Sequence, residues 1–140
     1  EQKKITGEIA EELTIESEKR RLVSEGREDL ATIIQQVSDV DVGAGYDIVS
    51  FDGKNSVYVH DRFIEVKGTS GNSDIFYWSK NEMDAAKKLG NKYWIYFWKH
   101  VGASDKTAEL KKINDPYDKF WIRTSIKPEP LIYKVRSDQI

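Results

Sequence analysis

Gly43-Ala44-Gly45-Tyr46-Asp47-Ile48-Val49-Ser50-Phe51, followed after a loop by Arg62-Phe63-Ile64-Glu65-Val66-Lys67, is the stretch whose reading decides the fold. Both halves are short and rich in β-branched and aromatic residues, so each reads as a strand. Asp52-Gly53 between them is a hairpin signal and makes the pair antiparallel. Val57-Tyr58-Val59 is expected to join the second of these strands, with a break near His60-Asp61. Side chains alternate between the two faces of a strand. Glu65 and Lys67 therefore project together, while Ile64 and Val66 point into the core. The hairpin sets Asp47 beside Glu65.

Two neighbouring carboxylates repel, and both stay ionised comfortably only with a cation between them. Hard oxygen ligands suit Mg²⁺, which keeps several waters and bridges readily to a phosphate. Lys67 then stands next to that ion, where it stabilises charge on an attacking hydroxide or on the phosphate. Asp47 and Glu65 as metal ligands with Lys67 beside them are the minimum set for phosphodiester hydrolysis. The bland alternative for Glu-x-Lys is a cross-strand ion pair on a solvated face.

Working outward, Lys4 to Glu25 reads as a helix with Ile5, Ile9, Leu13 and Ala10 on its buried face and Gly26 as its stop. Ile33 to Val37 reads as a first strand. Beyond the central pair, Ile75 to Trp78 reads as another strand. Ser79-Lys80-Asn81-Glu82 then matches a capping box, opening a helix that runs to Leu89 and stops at Gly90. Tyr93 to Trp98 is nearly all apolar, which fits a strand buried on both faces. Glu109 to Ile113 reads as a short helix, and Phe120-Trp121-Ile122 as a segment that pairs or packs. Pro128 and Pro130 break regular structure before a last strand over Leu131 to Val135. The expected fold is α/β, a mixed sheet flanked by helices in a single domain over 1–140, with 101–140 an extension of open role.

Composition excludes several classes of function. Lys+Arg number 22 against 24 Asp+Glu, for a net charge of −2, which rules out a broadly cationic nucleic-acid coat but not a local basic groove. The absence of cysteine rules out disulfide staples, zinc ribbons and thiol catalysis, and leans towards the cytoplasm. No apolar run is long enough to span a bilayer, so no membrane partner is expected. His60 and His100 are not spaced as a metal pair and read as surface residues. The opening Glu1 suggests a domain cut from a longer protein.

The same residues carry a family resemblance. Val37-Ser38, the Gly43–Phe51 run, Arg62 to Thr69, Phe76, Ser79 and Asn81-Glu82 resemble the domain named after the C-terminal part of the plant protein NO VEIN. Ala10-Glu11-Glu12, Glu18 to Leu22 and Gly26 to Ala31 add to the likeness, which covers about residues 7–100. That family is placed in the PD-(D/E)XK, restriction-endonuclease-like superfamily. The resemblance implies a helix followed by a mixed sheet whose second and third strands carry the active site. It assigns Asp47 and Glu65 as metal ligands and Lys67 as the catalytic lysine. It adds Glu11 as an acid from the first helix, with Glu18 two turns further along nearly the same face. The insertion Lys54 to Asp61, and Gly68 where a Thr is expected, depart from the pattern.

The reading is therefore a metal-dependent DNA endonuclease using Mg²⁺, with Mn²⁺ as a substitute. Its expected setting is the effector end of a larger bacterial restriction or defence protein, working with that protein's other domains and as a homodimer if both strands are cut. The competing reading is a non-catalytic module of the same fold that docks nucleic acid or protein. Glu82 and Ser79 read as helix caps, and the resemblance leaves Asn81-Glu82 a functional alternative because their helix starts near the sheet edge that holds the site. Tyr77, Trp78, Trp94 and Trp98 read mainly as packing residues, with stacking of one of them on a base as the alternative. Lys80, Lys87, Lys88 and Lys92 form a solvated helix patch available to phosphates, and Lys19-Arg20-Arg21 is neutralised by helical ion pairs.

Overall fold

The apolar run at Tyr93–Lys99 needs cover on both faces and a hydrogen-bonded neighbour on both edges, and the rest of the chain supplies them. The computed structural model describes residues 2–37, 41, 43–55, 58–102, 107–122 and 132–139. The readings of Ser38, Val57, Pro128, Pro130 and Leu131 lie outside these residues. In chain order the elements are α1 (Gln2–Ser24), α2 (Glu28–Ala31), β1 (Gln35–Gln36), β2 (Ile48–Ser50), β3 (Arg62–Gly68) and β4 (Ile75–Ser79). There follow α3 (Lys80–Leu89), β5 (Tyr93–Lys99), β6 (Glu109–Asn114) and β7 (Ile132–Arg136).

Five strands make one mixed sheet in the order β1-β2-β3-β5-β6. β3 and β5 run parallel, and the other pairs are antiparallel. Helices cover both faces. Ile48, Ile64, Val66, Tyr96 and Trp98 pack towards α1. Phe63, Tyr93, Ile95 and Phe97 pack towards α3 through Met83, Ala85, Ala86 and Leu89. The expected α/β architecture is thus present.

Several local expectations are corrected. The buried stripe of α1 is Thr6, Ala10, Thr14, Glu18 and Leu22, not the one centred on Ile5, Ile9 and Leu13. Ile5 is exposed, and Ile9 and Leu13 lie on the flank of the buried stripe. Small residues win that face because the helix comes close to the sheet. A Cβ on Gly68 would stand 3.0 Å from the Cβ of Ala10, which explains a glycine at the exit of β3. Glu109–Asn114 is a strand rather than a helix, because the edge of β5 needs a partner. The strand at Ile33–Val37 shrinks to two residues. Tyr58 and Val59 are exposed and lie outside β3. β4 leaves the main sheet and pairs with β7. Phe120 enters the core from a π-helical turn at Asp118–Ile122.

A buried ionic network joins α1 to the sheet. The Glu18 carboxylate is fully buried. It accepts from Arg21 Nη2 at 2.6 Å and Nε at 3.0 Å, from Ser50 Oγ at 2.8 Å and from the Tyr96 hydroxyl at 2.7 Å. Arg62 donates to the same Tyr96 hydroxyl at 2.9 Å and stacks on Trp94. Arg21 also donates to the carbonyls of Phe51 and Asp52, holding the start of the β2–β3 loop. Asp61 closes that loop by accepting from the Asp52 N–H at 2.7 Å. The expected hairpin therefore forms, with the start of its loop tied to the helix.

Burial alone would raise the Glu18 pKa, but Arg21, Tyr96 and Arg62 together bring it below the usual 4.5. Its contribution to stability is complete above that value and is lost as pH falls through the lowered pKa. Glu18→Ala takes the buried carboxylate away from Arg21 and Arg62, and we expect a loss of about 3–5 kcal/mol in urea denaturation at pH 7. The gap to wild type should narrow on acidification.

Candidate active site

The site begins where β2 leaves β3. The Asp47 N–H still donates to the Ile64 carbonyl at 2.8 Å, but its own carbonyl accepts from the Val37 N–H at 2.7 Å. The strands have parted, and the Val66 N–H has lost its ladder partner. The Asp47 carboxylate replaces it, with Oδ2 accepting from Val66 N at 2.8 Å. An acidic side chain is thereby fixed at the strand divergence, one residue from Glu65.

The loop before Asp47 is pinned to α3. Gly45 has φ +85°, and a Cβ there would lie 2.8 Å from the Cβ of Ala85 and 2.9 Å from the Asn81 carbonyl. Only glycine allows that approach. Asn81 Nδ2 donates to the Gly43 carbonyl at 3.0 Å, and the Tyr93 hydroxyl to the Gly45 carbonyl at 2.7 Å.

Glu65 and Lys67 share one face of β3, as the alternation requires, with Lys67 Nζ 3.3 Å from Glu65 Oε2. That face is not solvated. Glu65 is only 6% exposed, so the reading as a surface ion pair does not hold. Glu82 completes the cluster. The capping box at Ser79 forms as expected, but Glu82 Oε1 also lies 2.8 Å from Lys67 Nζ. Asp41, Tyr46, Asp47, Glu65, Asn81 and Glu82 border a cleft of about 420 Å³.

The electrostatics are unbalanced. Among the described residues, the Asp47, Glu65 and Glu82 carboxyls share one ammonium, Lys67, and Asp47 and Glu65 border the same cleft. Burial pushes Glu65 well above the usual carboxylate range; Lys67 pulls it down, while Asp47 and Glu82 raise it further. Burial also raises Asp47, against the pull of the Val66 N–H and Lys67. For Lys67 burial lowers the pKa, but Glu65 and Glu82 overcome it and the ammonium is held more firmly than usual.

Asp47, Glu65 and Lys67 are therefore brought together. Glu11 is not. Its Oε1 accepts from Gln36 Nε2 at 2.6 Å, and Gln36 pairs with Ile48, whose side chain packs on the α1 side of the sheet. Glu18 lies on that side too, within the ionic network. Glu82 is the site residue that sequence reading assigned first to a helix cap, with a functional part left open because its helix starts near the sheet edge carrying Lys67. Among the described residues no three His, Cys, Asp or Glu side chains form a group able to hold a metal. The donors here are the Asp47–Glu65 pair.

A family described as Protein NO VEIN, C-terminal, matches residues 10–113. The match runs from the buried stripe of α1 to β6 and takes in every residue of the cleft. No curated protein and no solved structure gives a match.

The raised carboxyl pKa values carry a sign. A group whose folded pKa is raised stabilises fully below its unfolded value, and that stability is lost as pH rises through the folded pKa. In metal-free buffer, Glu65→Gln should match or fall below wild type at pH 4. At pH 8 it should be more stable by about 1–2 kcal/mol, as read by thermal or urea unfolding. A variant less stable than wild type at both pH values would contradict the cluster's charge imbalance.

Proposed function

The chain belongs to the NO VEIN C-terminal family, and we propose that it is a metal-dependent DNA endonuclease of the PD-(D/E)XK, restriction-endonuclease-like superfamily. We place it at the effector end of a bacterial restriction or defence protein. The observation that carries the reading is that Asp47, fixed on the Val66 N–H just before β2, borders the same cleft as Glu65 of β3, with Lys67 on the face of Glu65. Such a pair holds a single proton or a single cation between its members. The order of helix, antiparallel pair bearing Asp then Glu-x-Lys, and parallel strand beyond agrees with the core that the superfamily resemblance implies.

The donor set fits Mg²⁺. Val66 N occupies Asp47 Oδ2 and Lys67 faces Glu65 Oε2, so each carboxyl has a second oxygen for an ion. Mg²⁺ needs only one or two carboxylates, because it keeps water and takes phosphate oxygens. When bound, the ion supplies an acidified water and polarises the phosphate. The chain does the rest. Asp47 is fixed by the Val66 N–H. Lys67, held between Glu65 and Glu82, offers its ammonium to the charge that grows on the phosphate as water attacks and the opposite P–O bond breaks. Glu11 has no part in these steps.

Supercoiled plasmid with Mg²⁺ or Mn²⁺ tests the reading, with EDTA as control. Metal-dependent nicking should fall at least about 100-fold in Asp47→Asn and Lys67→Ala. Added Mg²⁺ should also raise the melting temperature, more so as pH rises above the range in which the two carboxyls are protonated, and not in Asp47→Asn. Absence of both nicking and thermal shift would support the docking module, in which Glu65, Lys67 and Glu82 are a closed ion-pair network.

A further inference from the structure

We propose that the cleft on the far side of Lys67 holds a nucleotide of the strand being cut, its phosphate on Lys3 and Lys67 and its unpaired base stacked on Tyr77. This rests on the nuclease reading of the Asp47 site. The cleft measures about 550 Å³, within the range that encloses a small ligand.

Its lining is chemically opposite to that of the first cleft. Asp41, Asp47, Glu65 and Glu82 border the metal side. Among the described residues no carboxylate borders this one; its charged residues there are Lys3 and Lys67, and the other polar side chains carry hydroxyls. Lys67 contacts acids on one side and opens to this cleft on the other. A phosphate ester is drawn to the basic side, which brings it to the ion site from the direction of the lysine.

The hydroxyls are set to donate. Ser73 Oγ accepts from the Ile75 N–H at 3.1 Å, and Thr69 Oγ1 from the Gly71 N–H at 3.3 Å. Each oxygen is engaged as an acceptor, so its proton points elsewhere and suits a phosphate oxygen. Lys3 makes no ion pair with a described residue.

Tyr77 supplies the remaining element. β4 alternates, with Phe76 and Trp78 buried and Tyr77 59% exposed. A large ring left in solvent beside two ammonium groups and a row of hydroxyls suits a nucleobase. A base reaches that ring only after leaving its pair. The substrate class is thus DNA with an unpaired nucleotide next to the cut, as at a frayed end or gap.

The test is anisotropy of a fluorescein-labelled single-stranded oligonucleotide in EDTA, where no cleavage occurs. Tyr77→Ala should weaken binding about 5- to 150-fold and Tyr77→Phe should not. Lys3→Gln should lower the slope of log affinity against log salt by about 0.7. An oligonucleotide of abasic units should bind wild type and Tyr77→Ala alike. Equal binding of the labelled strand by wild type and Tyr77→Ala, or no binding by either, overturns the proposal. Competition by dTMP as strong as by the strand would assign the cleft to a free nucleotide and overturn the strand. Plasmid cleavage by wild type separates the two claims. Cleavage without Tyr77-dependent binding removes this cleft and leaves the nuclease; Tyr77-dependent binding without cleavage removes the nuclease and leaves a single-strand site.

Discussion

The buried Glu18 carboxylate sets the register on which the site depends. It takes hydrogen bonds from Arg21 on its own helix, from Ser50 on β2 and from Tyr96 on β5. Ser50 stands opposite Arg62 in the β2–β3 ladder, and Arg62 donates to Tyr96. The network thus clamps the strand pair at its loop end. A slip of one residue would turn every side chain of β3 to the other face. Glu65 and Lys67 would then meet α1 instead of Asp47 and Glu82. A buried ion network is weak grounds for net stability but has an evident use here in fixing one alignment.

β3 carries charge on both faces, and the two sides are finished differently. Glu18, facing one side, is held below the usual carboxylate range because two guanidinium groups and two hydroxyls surround it. Glu65, facing the other, is pushed up by burial first, with Asp47 and Glu82 adding to the rise, while Lys67, which it shares with Glu82, pulls it down. The same chain, in the same sheet, has satisfied one buried acid and left another a cation short. Structural networks tend to be complete, and the buried imbalance around Glu65 is the physical ground on which this cleft, and not the Glu18 network, is the candidate site.

What the sequence made legible follows from which distances are local. A strand has a period of two, so Glu65 and Lys67 were bound to share a face, and a hairpin carries Asp47 to them. The capping box was equally local and formed as read. Glu82's second contact was not legible, because the angle that aims α3 at β3 is set by Gly45 meeting Ala85 and Asn81. The face of α1 was misjudged because hydrophobic spacing favoured Ile5, Ile9 and Leu13. The helix actually packs through small and hydrogen-bonded residues, with Thr14 taking a bond from the Trp98 indole N–H at 2.8 Å. Glu11 stays apart from the cleft because α1 packs on the opposite face of the sheet. β6 and the β4–β7 pair were hidden because their partners lie far away in the chain.

Glu82 shows how the helix and the lysine became one unit. A single oxygen, Oε1, accepts from the Ser79 N–H at 3.1 Å and from Lys67 Nζ at 2.8 Å. The first turn of α3 cannot shift without moving the lysine, and the lysine cannot swing without loosening the cap. Gly45 and Asn81 tie the Asp47 loop to that same turn. The three charged groups of the β2–β3 pair are therefore positioned through the start of one short helix, although none of them belongs to it. Such an arrangement fixes the position of Lys67 through the fold alone.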